Sequence, residues 1–194
     1  DNVNMARIPC LISFPKTHDI KIGSIADLIE FRSKKEKLIE KISEKLIKTT
    51  FGEMRLILYT DLLSKNTHIA LVKGKIESND NILVRVHEPL SILDFIEAET
   101  NHSWPPLEAL ALIRNEDKGV IIFLNYQESQ NKITKALDAD KQATNKRSDL
   151  RNYGIGSQIL VDLGVSKMRL LSSPRKMPSM TGYGLQVTEF IENL

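Results

Sequence analysis

Few residues of this 194-residue chain combine reactive chemistry with a recognisable pattern, and cysteine is the scarcest type. Cys10 stands alone, so there is no intramolecular disulfide framework and no Cys-x-x-Cys metal knuckle. A reducing, cytoplasmic setting fits that usage. Within Ile8-Pro9-Cys10-Leu11-Ile12, the thiol reads as a small buried apolar residue rather than a nucleophile. Imidazole and carboxylate are the remaining metal donors. His87 and His102 flank Glu88, Asp94 and Glu97, an oxygen and nitrogen set that is conceivable as a metal site. Unlike a His-Glu-x-x-His helix, however, no spacing fixes their mutual geometry. His87 reads as a polar residue ending its strand. Asp149 is able to cap the helix that follows it, with Arg151 as its ion-pair partner.

The elements that must position these residues change character along the chain. Ile20-Lys21-Ile22 alternates like a short strand. Ser24 then supplies a helix cap and Asp27 complements the helix dipole. Leu28, Ile29 and Phe31 are expected to face inward, and the spacing of Leu38, Ile39, Ile42 and Leu46 extends one helix to about Lys48. Strands are predicted over Met54–Tyr59, His68–Gly74 and Ile82–His87, separated by polar turns. Pro105-Pro106 opens a helix that buries Leu107, Leu110, Ala111 and Ile113. Gly119–Leu124 is a continuous apolar run, as in a strand buried on both faces. A helix over Gly156–Leu163, a strand over Met168–Leu171, a short helix within Pro174–Met180 and a strand at Leu185–Val187 complete the order. Strands first and strand–helix alternation later predict an α/β (α+β) fold, a mixed sheet with flanking helices.

Composition narrows the function classes. Hydrophobic residues make up 41% and charged residues 27%, as in an ordinary globular domain. No apolar run is long enough to span a bilayer, and no membrane association is expected. The densest basic stretch, Arg32 to Lys48, also carries Glu36, Glu40 and Glu44. With net charge +2 and 6% aromatic residues, this is a solvated face rather than a nucleic-acid footprint. The opening Asp1-Asn2-Val3-Asn4-Met5 has neither an initiator nor a targeting pattern and reads as a cut inside a longer polypeptide.

Four segments carry a family resemblance. His68-Ile-Ala-Leu-Val-Lys-Gly74, Leu83-Val-Arg-Val-His87, Asp149-Leu-Arg-Asn-Tyr-Gly-Ile-Gly156 and Arg169-Leu-Leu-Ser-Ser-Pro-Arg-Lys176 together resemble GTP cyclohydrolase II. That family opens GTP in the first committed step of riboflavin synthesis. The similarity runs from about Leu38 to Leu194. It implies that the region from Leu38 onward is the first strand of the cyclohydrolase domain, against the helical periodicity. Earlier, Asn4-Met-Ala-Arg-Ile-Pro9 and Ile22-Gly-Ser-Ile-Ala-Asp-Leu-Ile-Glu-Phe-Arg32 resemble the C-terminal end of 3,4-dihydroxy-2-butanone 4-phosphate synthase. The implied division is a synthase remnant over 1–36 and a cyclohydrolase-II-like domain over 37–194.

The resemblance implies a zinc-activated water, held in the family by three cysteines after the Arg-Val-His motif. Counted from Arg85, those positions fall on Leu90, Asn101 and Ser103. None supplies a thiolate, so no metal and no other cofactor is expected. By the same resemblance Arg85, Glu128, Ser172 and Lys176 are nucleotide-binding candidates, and Asp149 with Arg151 matches the catalytic pair. In that pair the arginine is the proposed nucleophile toward the α-phosphate. Tyr126 and Gln130 replace arginines beside Gln127-Glu128. A glycine-rich stretch with a functional tyrosine is missing after them. The turn at Ser172-Ser173 is one residue shorter than usual.

The expectation is therefore a degenerate domain, inactive in GTP ring opening. It would serve as a structural, dimerisation or regulatory appendage of an upstream synthase domain. A homodimer and residual GTP or phosphate binding are the expected partners. The alternative is an active cyclohydrolase or altered nucleotide hydrolase with a rebuilt site.

Overall fold

The computed structural model describes residues 14, 17–23, 28, 31, 35–88, 104–125, 146–175 and 177–193. Its sheet begins with a long hairpin, β1 (Ile39–Thr49) and β2 (Gly52–Asp61). The two-residue turn is closed by Thr49, whose Oγ1 accepts from Phe51 N at 3.0 Å and donates to Gly52 O at 2.9 Å. Gly52 takes φ +107° there, a backbone state that side chains oppose.

The helix predicted through Lys48 is a strand in the structure, as the family resemblance required. Its helix-like spacing has a physical origin. Lys41 pairs with Tyr59 and Ser43 with Leu58, leaving Ile42 as a bulge. Residues seven apart point to opposite faces of a regular strand, but an inserted residue reverses that parity. Ile39 and Leu46, opposite Asp61 and Arg55, thus share a face. Ile42 and Leu46 are exposed on this edge strand.

Strands β3 (Thr67–Lys73), β4 (Asn81–His87), β5 (Gly119–Phe123), β6 (Lys167–Leu171) and β7 (Gln186–Ile191) complete a seven-stranded sheet of order β1-β2-β3-β5-β4-β6-β7. Pairing is antiparallel from β1 to β5 and parallel among β5, β4, β6 and β7. Helix α1 (Pro106–Arg114) joins β4 to β5. Helix α2 (Lys146–Asp162) joins β5 to β6, and α3 (Pro178–Gly182) joins β6 to β7. This is the mixed sheet with flanking helices that the element order predicts.

Each face of the sheet has its own core. On one, Ile57, Tyr59, Ala70, Val84 and Ile122 pack with Ile155, Ile159 and Leu160 of α2 and Met180 of α3. On the other, Met54, Leu83, Ile121 and Phe123 pack with Trp104 and with Ala109, Leu110 and Ile113 of α1. All five residues of β5 are buried, as expected of a central strand covered on both sides. Gly119 lets α1 approach closely, since a Cβ there would lie 2.9 Å from Ile113 Cγ2.

Several element details differ from expectation. Residues 20–23 form no strand, and Ile20 and Ile22 are exposed; among the described residues no strand pairs with this alternating tripeptide, so it has no ladder to join there. Leu28 and Phe31 are helical but solvent-facing. Ile29, the Ser24–Asp27 cap and Cys10 lie outside the described residues. In α1 the buried stripe is Pro106, Ala109, Leu110 and Ile113. Leu107 and Ala111 point outward, because packing against the sheet selects the stripe that is buried. Helix α2 starts ten residues before Gly156, at Lys146, its polar opening turns having no apolar periodicity to announce them. No helix among the described residues is long and apolar enough to cross a membrane.

Candidate functional site

β4 lies between β5 and β6 in the sheet. The connection through α1 packs on one face and the connection through α2 on the other. The carboxyl end of β4 is therefore a switch point, the place where open α/β sheets form ligand crevices. Arg85 and His87 occupy that end, and β6 finishes beside it at Leu171 and Ser172. α2 passes the same end of the sheet at Gly156, where a Cβ would lie 3.4 Å from Val86 Cγ1, and Asp149 and Arg151 precede that point in the helix.

Arg85 is 5% exposed, and its guanidinium is directed into the protein. Nη1 donates to Leu171 O at 2.9 Å, and Nη2 donates to Trp104 O at 3.0 Å. Nη2 also lies 3.4 Å from Nδ1 of the fully buried His87. A planar guanidinium with fixed donor directions suits two carbonyls at once, and burial of a charge in such a place requires that kind of satisfaction. The His87 ring meets Phe123 edge-on at 6.1 Å. Trp104 extends the network, its Nε1 donating to Ile191 O at 2.7 Å. Ser172 N donates to the same carbonyl at 3.1 Å. The Ser172 hydroxyl is 3.1 Å from Ser173 O, to which it donates, and the residue is buried.

Of the nucleotide-binding candidates, Arg85 and Ser172 are thus brought together around Leu171 and Ile191, both engaged in internal hydrogen bonds. Glu128 and Lys176 lie outside the described residues. Asp149 and Arg151 are in α2, with only their backbone described. Leu90, Asn101 and Ser103 also lie outside the described residues, as does His102.

The donor chemistry does not fit the family's zinc. Leucine has no ligating atom, and asparagine and serine offer neutral oxygens where a borderline-soft cation takes thiolates. Among the described residues no group of three or more His, Cys, Asp and Glu is placed to hold a metal ion. Of the alternative set around His87, the described members are His87 and Glu88. The Arg85 cation beside the His87 ring opposes a second cation at that nitrogen.

Two features escaped sequence reasoning. Trp104, in the loop that leads into α1, is an anchor of the network. Its signal was available: it is the only tryptophan in the chain, and such residues bury large areas when they find a partner for the indole N–H. The other is Arg175, whose guanidinium carbon lies 5.5 Å from the centroid of the Tyr153 ring. That cation–π contact ties the loop after β6 to α2, and no sequence spacing announces it.

Comparison with known proteins agrees with this architecture. The family model described as GTP cyclohydrolase II matches residues 40–192. A 3,4-dihydroxy-2-butanone 4-phosphate synthase of Neisseria meningitidis serogroup B is 42% identical over 192 residues, covering 99% of this chain and 53% of the relative. The riboflavin biosynthesis protein RibBA of Aquifex aeolicus is 38% identical over 205 residues, covering 97% and 50%. A crystal structure of RibBX, described as a two domain 3,4-dihydroxy-2-butanone 4-phosphate synthase from A. baumannii, superposes with a TM-score of 0.64. It is 30% identical and covers 100% of this chain and 52% of that one. The chain therefore spans about half the length of these relatives. With its mixed sheet, its Arg-Val-His strand end and a match running from β1 to the C-terminal strand, this chain belongs to the GTP cyclohydrolase II family.

Proposed function

We propose that this chain is a cyclohydrolase-II-like domain that has lost GTP ring opening and acts as a structural, dimerisation or regulatory appendage of a 3,4-dihydroxy-2-butanone 4-phosphate synthase in the cytoplasm. The observation that carries this reading is the donor set: the chain has one cysteine, Cys10, and the family's zinc positions, counted from Arg85, fall on Leu90, Asn101 and Ser103. Ring opening needs a water made nucleophilic at neutral pH, and in this family the metal supplies it. The inward Arg85 supports the same reading, since its guanidinium already serves the Leu171 and Trp104 carbonyls. Relatives that carry both the synthase name and twice the length support an upstream synthase domain. In this reading residues 1–36 are the end of that domain and 37–194 the appendage.

The test is incubation with GTP alongside zinc quantification on protein purified without chelators. Neither pyrophosphate nor pyrimidine product should form, and zinc should be far below stoichiometric. Stoichiometric zinc would overturn the proposal. Turnover abolished by Arg151→Ala would instead establish a nucleotide hydrolase with a rebuilt site, using Asp149 and Arg151 as its catalytic pair and Lys176 on phosphate. Calorimetry with GTP separates a pseudoenzyme that still binds nucleotide through these residues and Glu128 from one that does not.

A further inference from the structure

We propose that Arg85 and Trp104 form a metal-independent anchor that fastens the C-terminal end of the segment bearing the family's zinc positions. This rests on the reading that the chain holds no zinc. A structural metal contributes folding free energy by gathering ligands from separate parts of the chain. With Leu90, Asn101 and Ser103 offering no thiolate, a fastening of the backbone just beyond them has to come from groups other than a metal.

The structure assigns that task to residue 104. Trp104 directly follows Ser103 and is fixed three ways. The residue is 8% exposed, in the core with Met54, Leu83, Leu110 and Phe123. Its carbonyl accepts from Arg85 Nη2 at 3.0 Å, and its indole donates to Ile191 O at 2.7 Å. The other arm of the guanidinium reaches Leu171 O at 2.9 Å. One buried side chain on β4 thereby joins the end of β6 to residue 104, and the indole adds the end of β7. Metal binding requires deprotonated ligands and a free ion. A guanidinium is permanently protonated and covalently in place, so this fastening is insensitive to chelators.

The only tryptophan of the 194-residue chain reports on the anchor directly. Dialysis against EDTA should leave its emission maximum, its acrylamide quenching and the midpoint of thermal unfolding unchanged. Arg85→Met should shift the emission to the red and raise quenching several-fold. Arg85→Lys should fall between, since an ammonium lacks the planar two-armed geometry. Unchanged emission and quenching in Arg85→Met would overturn the anchor while leaving the zinc-free reading intact; loosening of Trp104 by EDTA would overturn both. Should Arg85→Met not fold, the unsubstituted protein still decides. The Trp104 indole proton should exchange with solvent roughly a thousandfold more slowly than free indole, as for a group released only by large-scale opening. Exchange near the free rate would sink the proposal.

Discussion

The Tyr59 hydroxyl donates a 2.7 Å hydrogen bond to Asp162 Oδ2, joining the C-terminal part of β2 to the last residue of α2 across one core. Burial, then this hydrogen bond and the charge of the carboxylate, hold the phenol far above its ordinary pKa of about 10. The folded state therefore keeps a proton that the unfolded chain releases. The contribution is complete below pH 10 and declines as pH rises above it, by at most about 1.4 kcal/mol per pH unit. Tyr59→Phe should lose about 1 kcal/mol at neutral pH and should flatten the alkaline decline. Urea unfolding of both proteins at neutral pH and above pH 10 measures each effect; parallel alkaline slopes would refute the assignment.

Gln158 holds the tripeptide that leads into β1 at both ends. Its Nε2 donates to Glu36 O and its Oε1 accepts from Leu38 N, each at 2.8 Å. Loss of both bonds in Gln158→Ala should destabilise by about 1–2 kcal/mol. Faster exchange of the Leu38 amide and faster tryptic cleavage after Lys35 or Lys37 are the expected local signatures. An unchanged digestion pattern would show that the clasp does not hold this segment.

Three glycines respond differently to a methyl group. In Gly74→Ala the new Cβ would lie 2.5 Å from Asp117 O, at φ +72°, and in Gly119→Ala 2.9 Å from Ile113 Cγ2. Each should cost about 1–3 kcal/mol through overpacking, with added backbone strain at Gly74. Gly156→Ala meets Val86 Cγ1 at 3.4 Å inside α2, where alanine gains up to about 1 kcal/mol of helix propensity. Denaturation midpoints should fall for the first two and hold or rise for the third.

Lys73, at the end of β3, donates from Nζ to Arg114 O and Glu116 O, 2.6 Å each. The ammonium satisfies carbonyls that the C-terminus of α1 leaves open, with a charge that suits the helix dipole. Lys73→Met should cost about 0.5–1.5 kcal/mol and speed amide exchange at Asn115 and Glu116, which donate back to Leu112 and Ile113. Protection unchanged at those two amides would argue against a capping role.

Much of the frame was legible because hydrophobic pattern and covalent restriction act locally. The apolar run at Gly119–Phe123 had to be a doubly covered strand, and Pro106 had to begin a helix. The lack of a thiolate set is a matter of residue type alone: no arrangement in space makes three thiolates from a chain with one cysteine. Membership of the family was likewise written in ordered motifs, from His68–Gly74 to Arg169–Lys176.

Other features depended on contacts between distant residues. Periodicity read β1 as helix because one bulge at Ile42 puts Ile39 and Leu46 on a single face, and a bulge exists only against its partner strand β2. It read Leu107 and Ala111 as buried because apolar type does not reveal which stripe meets the sheet. Arg85 was legible as a functional candidate; that its guanidinium turns inward to Leu171 and Trp104, residues 86 and 19 positions away, was not. The sequence by itself determined that this chain carries one cysteine and so cannot supply three thiolates. Only the tertiary structure decided where Arg85 directs its charge, because buried donors must find acceptors and long-range packing brings those acceptors within reach.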